Sequence, residues 1–178
     1  LYLEKIPYGY LTLARYQLPL PQDLWLLGTG TGLAPFLSML QDFETWNNYK
    51  QINLVYSVRT QAELAYVERI QEIAESFGEG HSGFKFIPII TRDPEAALHD
   101  RLPVLIANGE LEKAAAMQLN PETSHVMLCG NPDMVEDTKE ALKARGLTMN
   151  RRGEGNIAVE NCRGIGKRFS RFSNTVFT

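Results

Sequence analysis

Four short runs of apolar and β-favouring residues, each followed by a longer amphipathic stretch, constrain this chain more than any other feature. They are residues 24–28 (LWLLG), 52–58 (INLVYSV), 84–91 (FKFIPIIT) and 125–130 (HVMLCG), with a weaker fifth at 156–160 (NIAVE). Strands covered on both faces read this way, as nearly continuous apolar runs and not as an alternation. Helical patterns fill 35–46, 62–76, 102–116 and 133–145; Asn108-Gly109 divides the third into two short helices. In the last, Asp133 and Glu136 have capping-box spacing, and Arg145-Gly146 is a helix stop. Strand–helix alternation calls for parallel strands joined by right-handed crossovers. The expected fold is therefore α/β: a doubly wound five-stranded parallel sheet flanked by helices, in the order 3-2-1-4-5.

Such a sheet binds its ligand beyond the carboxyl ends of the strands, where strand order reverses. Strands one and four flank that point. Their loops, Gly28–Pro35 and Cys129–Asp133, both contain glycine and both open a helix. The first reads GTGTGLAP. Gly30 and Gly32 allow positive φ or close backbone approach, Thr29 and Thr31 supply hydroxyls, and Pro35 suits a first helical turn. Exposed N–H groups at that helix start favour an anion. A plain strand-to-helix turn needs one glycine; three alternating with threonine point to a phosphate.

The loop is not a P-loop, because no lysine follows the glycines, and it does not fit G-x-G-x-x-G, where Leu33 or Pro35 stands at the sixth position. NAD-binding folds place a carboxylate after the second strand for the ribose 2′-hydroxyl. Here that strand ends Tyr56-Ser57-Val58-Arg59, the third ends Thr91-Arg92, and Arg101 follows shortly. A serine and arginines would bind a 2′-phosphate that a carboxylate would repel. A single arginine is ordinarily a solvated surface charge; Arg59 and Arg92 gain weight from their place at two successive strand ends. Cys129 ends the fourth strand, either as a small packing residue or with its thiol at the crevice floor. Asn131-Pro132 turns the chain into the last helix.

The rest of the sequence mostly excludes. A formal net charge of −3 gives no basic excess for nucleic acid. No apolar run approaches the roughly 20 residues of a membrane helix. The opening LYLEKIPYGY lacks a signal-peptide pattern. Two cysteines, Cys129 and Cys162, make no C-x-x-C, so a reducing, cytoplasmic setting is the expectation. No His/Cys/Asp/Glu cluster has metal spacing, and no G-x-S-x-G is present. The chain opens mid-pattern at Tyr8–Leu13, like a strand of something larger, and Pro19 and Pro21 stiffen the following LPLPQD.

Taken together, GTGTGLAPF, the arginine after the second strand and CGNPDM at 129–134 resemble the ferredoxin/flavodoxin–NADP(H) reductase family, its bacterial branch most closely. The resemblance implies that Gly30, Thr31, Gly32, Leu33, Ala34 and Pro35 carry the pyrophosphate and nicotinamide end of NADP(H). It implies that Arg59, Arg92 and Arg101 bind the 2′-phosphate and that Cys129 and Gly130 lie by the nicotinamide; Ser57 and Asn131 are also expected to bind the cofactor. Val159-Glu160 matches the terminal V-E, whose glutamate approaches nicotinamide and FAD; Cys129 and Glu160 are thus the implied catalytic pair. Family members move hydride between NADPH and FAD and electrons to ferredoxin or flavodoxin. The expected layout is a barrel-strand remnant at 1–17, a linker at 18–23, an NADP(H)-binding domain at 24–161 and a basic tail at 162–178, the whole monomeric.

The chain departs from the family in two places. The R-x-Y-S fingerprint of the FAD barrel is absent, so this chain alone is expected to bind NADP(H) and to be inactive or weakly active. Cys162 stands where the family has a terminal aromatic, and RGIGKRFSRFSNTVFT continues beyond it, read as a disordered tail. Family members usually have alanine at Gly28, which is read as a packing variation. A rival from another class is an FMN-holding electron carrier of flavodoxin type, whose phosphate loop is also rich in Thr and Gly. A third, a non-redox nucleotide-binding regulator, is favoured only by the absent flavin domain.

Overall fold

The computed structural model describes residues 11–16, 22–80 and 83–161. Five parallel strands form one sheet: β1 (Asp23–Thr29), β2 (Gln51–Val58), β3 (Gly83–Ile90), β4 (Ser124–Gly130) and β5 (Ile157–Asn161). Their order is β3-β2-β1-β4-β5, the one expected. That order differs from the 2-1-3-4-5 of flavodoxins. The helices are α1 (Leu33–Leu40), α2 (Phe43–Asn48), α3 (Val67–Gly78), α4 (Leu102–Ala107), α5 (Glu110–Ala115) and α6 (Pro132–Ala144).

Side chains of a strand alternate between its two faces, and here both faces are covered. Leu24 and Leu26 of β1 join Leu54, Met127 and Phe36 on the side of α1–α3. Trp25 and Leu27 join Val55, Leu128 and Leu105 on the side of α4–α6. All four β1 side chains have zero exposure. Each such leucine contributes about 1.5–3 kcal/mol by burial. Pro88, which cannot donate to a ladder, sits on edge strand β3.

Three expected elements differ. The helix read at 35–46 is two, because Asp42 caps a new start by accepting the Glu44 N–H at 2.9 Å. The helix read from 62 starts at Val67, after a 3₁₀ turn at Gln61–Glu63 and a left-handed Tyr66. The cap of α6 is Asn131 and not Asp133: its Oδ1 accepts the Asp133 N–H at 2.9 Å, with Pro132 in the first turn. Glu136 is thereby freed from capping and pairs with Lys139 at 2.6 Å.

Residues 11–16 hold a 3₁₀ turn, Leu13–Arg15, where an extended strand was expected. The rest of that expected strand, most of the 18–23 linker and the 162–178 tail lie outside the described residues. Asp23 already belongs to β1. Tyr16 fastens the segment to the domain. Its hydroxyl lies 3.0 Å from the carbonyls of Val126 and Asn156, and its ring stacks on His125 at 3.5 Å.

His125 Nδ1 meets the Tyr49 hydroxyl at 2.8 Å, and burial lowers its pKa from 6.5 to about 4. The unfolded chain therefore takes up this proton first. The contribution of His125 to stability is full above about pH 6.5 and is lost as pH falls towards 4. Buried Asp23 has its pKa raised, mainly by desolvation, and works in the opposite sense. An NMR titration of the His125 ring isolates the histidine: the expected midpoint is near 4, and a midpoint near 6.5 contradicts the buried neutral ring.

Candidate functional site

Beyond the carboxyl ends of β1, β2 and β3 the sheet opens into a cleft of about 770 Å³. Gly30, Thr31, Ser57, Arg59, Arg92 and Arg101 line it. With Asn131, which also lines it, seven of the expected binding residues thus converge from five separate stretches. Backbone hydrogen bonds hold two of those stretches in register past the strands: Thr91 N–H to Val58 O at 2.9 Å, and Arg92 N–H to Arg59 O at 2.8 Å. Arg59 and Arg92 therefore project from adjacent chains. Both are exposed, and neither has an ion-pair partner among the described residues. Arg101 pairs with Asp137 of α6 at 2.9 Å. Uncompensated guanidinium groups beside a polar cleft favour an anion.

The glycines of the first loop divide the work. Gly30 has φ +52 and nothing within 4 Å of the place its Cβ would occupy, so it needs glycine for its backbone and opens onto free space. Gly32 is buried with the opposite requirement. A Cβ there would collide with the Cys129 carbonyl and stand 2.9 Å from Gly130 Cα. Gly28 faces the Phe36 ring, which a Cβ would meet at 3.1 Å. Leu33 is 2 % exposed in the core, and its N–H bonds back to the Gly30 and Thr31 carbonyls. Ala34 is exposed outside the cleft, and Pro35 lines a separate groove beside residues 11–16.

No side chain caps the start of α1; its Leu33 N–H is taken by the Gly30 and Thr31 carbonyls, and Pro35 carries none. The start of α6 is different. Asn131 satisfies one of its donors, and Asp133 puts a carboxylate in the first turn on the cleft wall. That negative charge already satisfies the positive end of α6. The loop after β1 has no acidic residue in its first helical turn, which favours it over the β4 loop for an anion. The Thr29 hydroxyl joins them, accepting the Asn131 N–H at 3.3 Å.

Cys129 and Glu160 are register neighbours on β4 and β5, so the expected pair does come together. Neither lines the arginine cleft. Cys129 is 1 % exposed and packs in the core on the α1 side; Glu160 is half-buried. Gly130 presses on Thr29, whose hydroxyl a Cβ there would strike. Sequence reasoning does not single out Glu63, Thr91 or Asp133, which also line the cleft. Glu63 had one available signal, its spacing of four from Arg59 across a short turn. Its Oε2 accepts the Arg59 backbone N–H at 3.0 Å. Burial, with the nearby Glu63 carboxylate next in size, pushes the Tyr56 phenol pKa up.

A family model described as oxidoreductase NAD-binding domain matches residues 26–140. A flavodoxin/ferredoxin–NADP reductase of Buchnera aphidicola from Schizaphis graminum is 37% identical over 164 residues, covering 90% of this chain and 62% of the relative. That of Escherichia coli is 40% identical over 124 residues, 69% of this chain and 49% of the relative. A crystal structure of a ferredoxin NADP+ reductase from Neisseria gonorrhoeae with bound FAD and NADP superposes with a TM-score of 0.76 at 37% identity, over 86% of this chain and 61% of that one. The chain thus spans about half to three-fifths of these proteins. Among the described residues no helix is long and apolar enough to cross a membrane.

Proposed function

The chain belongs to the oxidoreductase NAD-binding domain family, and from that premise we propose that it is the NADP(H)-binding half of a ferredoxin/flavodoxin–NADP reductase. The whole protein would be an FAD oxidoreductase that exchanges hydride between NADPH and flavin and electrons with ferredoxin or flavodoxin, as a cytoplasmic monomer. The observation that carries the reading is the pair Arg59 and Arg92 at the ends of β2 and β3, neither with an ion-pair partner among the described residues. A cleft for plain NAD would favour a carboxylate at that place.

The residues suit a dinucleotide. Arg59, Arg92 and Arg101 with the Ser57 hydroxyl would take the 2′-phosphate. The N–H groups of residues 30–32, above which Gly30 leaves open space, would take the pyrophosphate. The nicotinamide end would then extend toward the β4–β5 end of the crevice, where Cys129 and Glu160 stand side by side. The nicotinamide and the flavin supply the redox chemistry; this chain's residues bind, orient and exclude water. The described residues include no counterpart of an FAD barrel, so steady turnover with ferredoxin is assigned to the longer protein. The flavodoxin-type reading loses support from the strand order.

Calorimetry with NADP+, NAD+ and 2′-phospho-AMP tests the proposal. The expected result is tight binding of the two 2′-phosphorylated ligands and at least about tenfold weaker NAD+, one good charged hydrogen bond being worth that much. Equal affinity for NADP+ and NAD+ would remove the role given to the arginines.

A further inference from the structure

We propose that Glu63 sets how strongly the cleft discriminates between 2′-phosphorylated and plain nucleotides: its carboxylate fixes the Arg59 backbone while its charge weakens the hold on the phosphate. The inference rests on the reading of the arginine cleft as a 2′-phosphate subsite and names a residue that acts against the arginines within it. Glu63 lines the same cleft as Arg59, Arg92 and Arg101. It stands on the 3₁₀ turn Gln61–Glu63, immediately after the strand end that carries Arg59. The turn closes on itself through Glu63 N–H to Thr60 O at 3.1 Å and Leu64 N–H to Gln61 O at 3.1 Å. It thereby fixes where the side chain of residue 63 leaves the backbone.

That side chain reaches back to the Arg59 N–H with Oε2, at 3.0 Å. One carboxylate oxygen is thus committed to the backbone. No ion pair joins Glu63 to any of the three arginines. No ion pair among the described residues neutralises its charge, and it stands on the wall of the cleft proposed to receive the 2′-phosphate. A hydrogen-bonding role at the Arg59 N–H needs only an oxygen, which a neutral glutamine also supplies. The charge is an addition to that role with a consequence of its own. It repels a 2′-phosphate, carrying nearly two negative charges at neutral pH, and leaves a 2′-hydroxyl almost untouched. The three arginines outweigh it, so the cleft still prefers the phosphate, with a smaller margin and faster release than the arginines alone would give.

Three proteins separate the two roles: wild type, Glu63→Gln and Glu63→Ala, each titrated with NADP+, NAD+ and 2′-phospho-AMP and each melted to check folding. Glu63→Gln keeps the acceptor and removes the charge. It should bind NADP+ and 2′-phospho-AMP roughly threefold to tenfold tighter, as expected for one exposed charge near a dianion. NAD+ should stay within about twofold, and added salt should shrink the gain, since screening acts on the charge alone. Glu63→Ala removes both roles and should gain less than Glu63→Gln, because the Arg59 chain is released. A folded Glu63→Gln with unchanged or weaker NADP+ binding overturns the proposal, as does an equal gain for NAD+. A wild type that binds NADP+ and NAD+ alike overturns the 2′-phosphate subsite itself, a result read before any variant is compared.

Discussion

Gly32→Ala should lose about 6–12 °C of melting temperature, the equivalent of roughly 3 kcal/mol or more in a domain of this size. Every atom its Cβ would meet first is backbone: the Cys129 carbonyl and the Gly130 Cα. No rotamer change relieves such a contact; the loop after β1 and the end of β4 must separate. These two segments carry the proposed pyrophosphate loop and the Cys129–Gly130 pair, so the damage reaches function as well. Gly30→Ala makes the informative comparison. Its Cβ meets nothing within 4 Å, and only the φ of +52 is unfavourable. That costs about 1–2 kcal/mol, or roughly 2–8 °C. A methyl group at residue 30 would nonetheless stand in the open space given to the pyrophosphate. Gly30→Ala should therefore lose NADP+ affinity while keeping 2′-phospho-AMP, which lacks the pyrophosphate. A Gly32→Ala protein melting within 2 °C of wild type would show that the two loops are not in contact.

The contrast between these glycines marks where sequence reasoning stops. The strands of the sheet followed from periodicity, because runs such as Trp25–Leu26–Leu27 fit a strand covered on both sides and fit little else. The arginine cluster followed too, since strand ends in a parallel sheet all face the same edge. The assignment of jobs within Gly-Thr-Gly-Thr-Gly did not follow. Which glycine needs its φ and which needs its missing Cβ depends on β4, about a hundred residues away in sequence. The same holds for Glu63. Its spacing of four from Arg59 is a weak local hint that its carboxylate reaches the Arg59 N–H, and the 3₁₀ turn that brings it there carries no apolar periodicity to strengthen it. At α6, Asp133 and Glu136 satisfied the pattern of a cap, but Asn131-Pro132 claimed the position first. Local signals of equal quality compete, and the backbone geometry at the strand end decides.

Cys129 illustrates a different limit. Its position at the end of a central strand suited both a packing thiol and a crevice floor. The fold gives it neighbours of both kinds: Glu160 beside it on β5, and a buried apolar surround on the α1 side. A side chain 1 % exposed cannot meet a ligand without movement of what covers it. Its backbone, by contrast, abuts Gly32 and is thereby tied to the pyrophosphate loop. Any role of residue 129 in the proposed site would thus run through main-chain placement before sulfur.

Arg59→Ala and Arg92→Ala should each weaken NADP+ and 2′-phospho-AMP binding by about 10- to 100-fold, the range for one charge-assisted hydrogen bond worth 1.5–3 kcal/mol. NAD+ affinity should stay within about twofold, because the groups removed are the ones proposed to meet the 2′-phosphate. Both side chains are exposed and have no ion-pair partner among the described residues, so neither substitution creates a cavity or strands a buried partner there. Their melting temperatures should therefore stay within about 2 °C of wild type. Arg101→Ala should cost less, since the Arg101 guanidinium already spends part of its donor set on Asp137 at 2.9 Å. The double variant Arg59→Ala/Arg92→Ala should nearly abolish discrimination between NADP+ and NAD+. It need not equal the product of the singles, because two groups sharing one phosphate are coupled. Lysine at residue 59 should recover part of the loss, keeping the charge without the planar fork. If NADP+ and NAD+ weakened together, the arginines would be acting on the pyrophosphate instead. The division between an arginine cleft for the 2′-phosphate and a β1 loop for the pyrophosphate would then have to be redrawn around Gly30.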